Sequence, residues 1–346
     1  YPNTNKLPSG ISGLSKKVND LGLNFGLWIE PEMVNKDSEL YRNHPDWIIS
    51  TPNRSDSHGR NQYVLDFSRH EVVDYIHEMI SKVLRESNIS YIKWDMNRSI
   101  TECYSKAFPK EQQGEVMHRY ILGVYDLYER LINEFPKILF ESCSSGGGRF
   151  DPGMLYYAPQ TWTSDDTDAI ERLKIQEGTS LVYPTSAMGS HVSAVPNHQV
   201  HRMTPLNTRG VVAMAGSFGY ELDITKMTDE EKEEVKSQVE LYKNIRRTVQ
   251  FGDLYRLKSA FNSNEAAWMN LSKDGKNAVV SYVKKYAEPN VIPGRLKVKA
   301  LNEEGLYEVI ETGEVFGGDE LMYIGLEIGE LTGDYQAKSW TLRKID

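Results

Sequence analysis

Between about Leu14 and Gln250 short apolar runs alternate with longer segments whose apolar residues recur every three or four positions, the pattern of β/α units feeding a parallel sheet. Strand-like runs rich in β-branched and aromatic residues fall at 25–29, 63–66, 91–94, 138–141, 157–162, 181–184 and 218–222. Amphipathic helical spacing covers 72–85, 112–133, 169–177 and 228–248. Thr228 is followed three residues later by Glu231, a capping box that opens the last of these helices. Seven strands are one fewer than a closed (β/α)8 TIM barrel requires. An open doubly wound sheet tolerates seven, but no Gly-rich fingerprint follows the first strand. After about Gly252 the texture becomes alternating, at 277–284, 294–301, 306–311 and 338–342, which predicts antiparallel strands. The pattern therefore predicts an α/β domain to about residue 250, one strand short of a closed barrel, and a small antiparallel β-domain after it.

Composition restricts the partners. Asp and Glu outnumber Lys and Arg by 49 to 40, a net charge of −9, and no basic cluster is long enough to follow a phosphate backbone. Nucleic acid and membrane are excluded as expected partners. The two cysteines, Cys103 and Cys143, are too few for a disulfide framework, and no apolar run reaches the length of a membrane span. A soluble, cytoplasmic, thiol-reduced protein is the expectation. The chain opens on Tyr1 rather than Met, so an upstream segment is expected as well.

In a barrel, the polar residues that follow each strand point into one mouth. Here those residues are acidic: Glu30 and Glu32 in GLWIEPEM, Asp95 in YIKWDMNR, Glu141 in FESCSSGGGRFD, Asp165, Asp166 and Asp168 in WTSDDTD, and Glu221 and Asp223 in GYELD. Trp28 and Trp162 lie among them. Two carboxylates facing a hydroxyl-rich ligand are what glycoside hydrolysis needs, and tryptophan supplies a platform for a sugar ring. Acidic residues at strand ends also cap helices and form ion pairs, so spacing alone does not select the working pair. Glu30 with Asp95 fits as well as Asp95 with Asp165. Lys93 raises a second chemistry, a Schiff-base aldolase, and a sugar-binding module without turnover is a third reading. His191, His198 and His201 have no common zinc spacing and are expected to be hydrogen-bonded loop residues, with no metal and no cofactor.

The motifs GLWIEPEMVN, YIKWDMNR, ESCSSGGGRFDPGML, WTSDDTDAIERLKIQ and MGSHVSAVPNHQ, in this order over nearly all of residues 5 to 250, resemble the α-galactosidases of glycoside hydrolase family 36. The resemblance implies an α/β fold, a (β/α)8 TIM barrel over residues 1–250 with its first strand missing here, then a C-terminal antiparallel β-sandwich over 251–346, and a retaining double displacement on terminal α-D-galactosides of the melibiose and raffinose type. It implies Asp95 as nucleophile, Asp165 as acid/base, and Trp28, Arg60, Lys93, Cys143, Gly146 and Trp162 as galactose contacts. It also implies an oligosaccharide substrate and a homo-oligomer in the full-length enzyme. Lys93 is expected to keep Asp95 ionised, and burial or the neighbouring carboxylates to keep Asp165 protonated. Glu30 and Glu32 are expected to orient Lys93 or Arg60. The family's first barrel strand carries an adjacent aspartate pair, and no Asp-Asp-Gly-Trp stretch occurs here. The chain is thus expected to begin inside its own barrel, without the family's N-terminal β-domain.

Overall fold

The computed structural model describes residues 3–290, 292 and 294–345. The chain forms two compact units, Tyr1–Trp162 and Thr163–Asp346. In the first, α1 (Gly10–Asp20) and β1 (Gly26–Ile29) are followed by a short antiparallel ribbon of β2 (Met33–Asn35) and β3 (Gln62–Val64), with α2 (Glu39–Asn43) between its strands, and then by β4 (Tyr91–Trp94), β5 (Leu139–Ser142) and β6 (Gln160–Trp162). Strands β1, β4, β5 and β6 pair in parallel in that order. Crossovers between them carry α3 (His70–Glu86), α4 (Val116–Glu134) and α5 (Pro152–Tyr157).

Side-chain alternation along β4 decides what faces where. Ile92 and Trp94 are fully buried in the main core, whereas Tyr91 and Lys93 occupy the opposite face. Trp94 stacks on Tyr128 of α4 with ring centroids 4.0 Å apart. Helix α4 approaches the chain so closely that a Cβ on Gly123 would lie 1.9 Å from the Phe67 carbonyl oxygen, so only glycine fits there.

In the second unit, α6 (Ala169–Thr179) precedes the parallel pair β7 (Met188–Ser193) and β8 (Ser217–Glu221), with α7 (Leu206–Ala213) between them. Helix α8 (Asp229–Phe251) opens with the expected capping box: the Thr228 hydroxyl accepts from the Glu231 N–H at 3.2 Å, and the Glu231 carboxylate accepts from the Thr228 N–H at 3.0 Å. A six-stranded antiparallel sheet follows. It contains β9 (Asp253–Lys258), β10 (Glu265–Leu271), β11 (Asn277–Lys284), β13 (Leu306–Val309), β14 (Val315–Gly317) and β16 (Gln336–Lys344), in the order β14-β13-β16-β11-β10-β9. One face packs on a second layer made by the ribbon of β12 (Arg295–Leu296) with β15 (Leu326–Glu327) and by α9 (Gly318–Tyr323). The other packs on α6, α7 and α8 through Val211, Ile245 and Val249. The fold class is that of the β/α barrel, with an antiparallel C-terminal β-domain.

Several predicted strands need correction. Residues 63–66 do not form a parallel strand: the apolar side chains of Tyr63, Val64 and Leu65 are buried by an antiparallel ribbon and by Ile48. Tyr157 ends α5, and strand pairing starts only at Gln160. The strand predicted at 181–184 is a turn with Leu181 and Val182 exposed, and the strand proper is Met188–Ser193. The 294–301 segment pairs only over Arg295–Leu296.

Candidate active site

The KWD segment ends β4 by placing Asp95 one residue beyond the strand, where its N–H still bonds the Ile29 carbonyl at 2.9 Å. Asp95 is 6% exposed. Its carboxylate accepts from the Asn97 amide at 2.7 Å, from its neighbour's N–H (Met96) at 2.8 Å and from the Trp28 indole N–H at 3.2 Å. The Cys143 thiol donates a fourth hydrogen bond. Burial pushes the Asp95 carboxyl up, but the donors, led by Cys143 and Asn97, outweigh it and hold the group below the ordinary carboxylate range. Hydrogen bonds are thus the leading influence that lowers Asp95. Burial and the Asp95 charge push the Cys143 thiol up to about 12, so at neutral pH it remains a donor.

Lys93 serves a different partner. Its Nζ lies 3.3 Å from the buried Glu141 carboxylate and 4.4 Å from the Trp162 ring centroid. Glu141 also accepts from Tyr91 and from the Gln160 amide, the latter at 2.6 Å. These residues share one face because β4, β5 and β6 are in register, Lys93 beside Glu141 and Glu141 beside Gln160. Trp28 is 47% exposed on β1, and Arg60, in a left-handed turn at φ 53°, reaches Glu30 at 3.7 Å. Glu30 in turn accepts from the Asn97 N–H at 3.0 Å. A groove of about 730 Å³ reaches Trp28, Glu30 and Arg60 but is lined mostly by apolar side chains, among them Leu27 and Ile29 of β1 and Ile76, Ile80 and Leu84 of α3.

Glu32 orients neither Lys93 nor Arg60. It is fully buried and bound to Arg149 through two contacts, at 2.7 and 2.9 Å, with further hydrogen bonds from Trp94 at 2.8 Å and Tyr120 at 2.5 Å. Burial disfavours its charge, but Arg149 and the other donors prevail and hold the carboxyl below its usual value. Glu32 thus joins β4, through Trp94, to the glycine-rich loop, through Arg149. On that loop Cys143 is buried and Gly146 adopts φ 82°, leaving bare backbone at the turn. The Ser144 hydroxyl ties the loop to the Met96 carbonyl at 3.0 Å. Asn97, Glu141 as the partner of Lys93, and Arg149 were missed as site-forming residues. An amide two positions after the aspartate was the one available signal, since the other pairings run between distant strands.

In the second unit, Asp165 is exposed rather than buried, and its carboxylate makes no hydrogen bond or ion pair to a described residue. Asp166 accepts from the Asp168 N–H at 3.0 Å, and Asp168 caps α6 by accepting from the N–H groups of Ile170 and Glu171, both at 3.0 Å. Asp168 is also ion-paired with Arg202. Its neighbours therefore have structural tasks, and Asp165 has none. His191 lies 3.7 Å from Glu221. Among the described residues no group of three or more His, Cys, Asp or Glu side chains could hold a metal ion, and no helix is long and apolar enough to cross a membrane.

A family model described as melibiase matches residues 1–252, and one for the glycosyl hydrolase family 36 C-terminal domain matches residues 265–342. The α-galactosidase AgaA of Geobacillus stearothermophilus is 59% identical over 343 residues, covering 99% of this chain and 47% of the relative. An α-galactosidase of Lactobacillus acidophilus is 51% identical over 341 residues, covering 99% and 46%. The crystal structure of AgaA matches with a TM-score of 0.97 over 99% of this chain and 48% of that one, at 59% identity. So does an AgaA variant in complex with raffinose, at TM-score 0.97 and 58% identity, with the same coverage. The chain spans about half the length of the curated relatives it matches. With a melibiase match over most of its length and the matching C-terminal domain behind it, the chain belongs to the melibiase family of glycosyl hydrolases.

Proposed function

We propose that the chain carries the catalytic pair of a retaining α-galactosidase that hydrolyses terminal non-reducing α-D-galactosides. Asp95 attacks the anomeric carbon and forms a covalent galactosyl-enzyme, while Asp165 protonates the leaving oxygen and then activates the water that releases galactose. Trp28, Arg60, Lys93, Cys143, Gly146 and Trp162 bind the sugar, with no metal or cofactor. The observation that carries this reading is Asp95 itself: a buried carboxylate kept ionised by four donors, one of them on an exposed indole able to pack against a sugar ring.

Further support comes from the relatives. AgaA variants were solved with raffinose and with stachyose, and each carries a replaced aspartate; the two positions are 70 residues apart, the separation of Asp95 and Asp165. Lys93, engaged by Glu141 and Trp162, is not presented as a free amine for Schiff-base chemistry. The reading extends to a barrel domain to about residue 250 with a β-domain after it, a cytoplasmic location and a homo-oligomeric enzyme. The change from α8 to the antiparallel strands that begin with β9 agrees with the first of these.

The test is Asp95→Gly in the active enzyme with p-nitrophenyl α-D-galactoside and azide. Turnover should vanish without azide and return with it, giving β-galactosyl azide. Unchanged hydrolysis by this variant sinks the assignment.

A further inference from the structure

The chemistry above leaves the segment after β7, residues 194–202, without a task, yet its side chains converge on the loop that bears Asp165. Asn197 is 2% exposed. Its amide donates to the Thr167 hydroxyl at 3.2 Å, and its oxygen accepts from the N–H groups of Gln199 at 2.9 Å and Val200 at 3.1 Å, a local turn that aims Gln199. The Gln199 amide, in the orientation that satisfies both of its ends, donates to the Asp165 carbonyl at 3.2 Å and to the Asp166 carboxylate at 3.3 Å. Around these contacts, the Ser193 hydroxyl donates to the Thr167 carbonyl at 3.0 Å and Arg172 to the Ser164 carbonyl at 3.1 Å, while Arg202 holds Asp168. Three carbonyls in the stretch from Ser164 to Thr167 are thus held by side chains. The Asp165 carboxyl is the polar group left over.

We infer that Asn197 and Gln199 are positioning residues for Asp165: they fix the backbone beneath it and leave its carboxyl free to meet a leaving oxygen. The inference rests on Asp165 being the acid/base. A general acid must sit within hydrogen-bond reach of the atom it protonates, and a misplacement of about 1 Å costs on the order of a hundredfold in rate. An exposed carboxylate on an unbraced loop would lack that precision. Direct hydrogen bonds to the carboxylate itself would fix it as well, but would stabilise the ionised form and blunt the acid. Bracing the main chain avoids that conflict.

The test compares kcat/KM, which reports the galactosyl-transfer step, for melibiose and for 2,4-dinitrophenyl α-D-galactoside. The first must have its leaving oxygen protonated and the second need not. Gln199→Ala and Asn197→Ala in the active enzyme should lower the melibiose value about tenfold or more and the dinitrophenyl value less than about twofold, a smaller version of the pattern of Asp165→Ala. Gln199 is exposed, so its variant keeps the fold, and thermal unfolding of Asn197→Ala separates a packing defect from a positioning one. Equal losses on both substrates, or no loss on either, overturn the inference while an Asp165→Ala control with strong leaving-group dependence keeps the acid/base reading intact. If Asp165→Ala itself shows no such dependence, that reading fails and the inference falls with it.

Discussion

The surroundings of Asp95 and Asp165 differ in where the hydrogen bonds go. At Asp95 the donors address the carboxylate directly, from Cys143, Asn97, Trp28 and the Met96 N–H, and the group is buried. Around Asp165 the hydrogen bonds address the main chain and the neighbouring aspartates, and its own carboxylate is exposed and unpartnered among the described residues. A nucleophile must be charged and still, whereas an acid/base must change its charge twice per turnover. For the roles proposed for Asp95 and Asp165 the two regions offer corresponding solutions, one stabilising the anion and the other only its position.

The contrast can be broken in order of effect. Asp95→Ala should lower kcat on p-nitrophenyl α-D-galactoside by roughly 10⁴-fold or more, the scale of removing a covalent nucleophile. Glu32→Ala strands the Arg149 guanidinium without its buried partner and should cost about 3–5 kcal/mol, read as a fall in the urea midpoint. Asn97→Ala removes one donor from Asp95. Because the folded-state carboxyl lies below its unfolded value, its contribution to stability is present at neutral pH and is lost as pH falls through the folded value. Without Asn97 that value rises, so the acid limb of kcat/KM should move to higher pH, read from the pH profile of the variant. Asp165→Ala, whose carboxylate has no described partner to lose, should change stability by no more than about 0.5 kcal/mol in the same unfolding assay.

Local pattern made much of this legible. Strands β4 and β11 lie where alternation puts them, and the capped α8 starts at the Thr228–Glu231 box but runs on to Phe251 rather than ending at 248. Strand β7 did not stand out because its sequence, Met-Gly-Ser-His-Val-Ser, is small and polar although mostly buried, while the apolar Leu181 and Val182 nearby are in fact exposed. The motifs named Asp95 and its neighbours through resemblance, but not what holds them. Glu32 and Arg149 are 117 positions apart, and Lys93 meets Glu141 only because two strands pair in register. Such pairings are properties of topology, and no window along the chain contains them.

The Glu32 hub also bears on how this protein can be altered by recombination. One buried carboxylate satisfies Arg149 of the glycine-rich loop, the indole of Trp94 and the hydroxyl of Tyr120. Segments exchanged with a homologue at a crossover between residues 32 and 149 will keep this junction only if both parents carry the same donors and acceptor. A recombinant that keeps the IEPEM and SSGGGRF motifs from one parent therefore keeps the junction, although more than a hundred residues of sequence separate them.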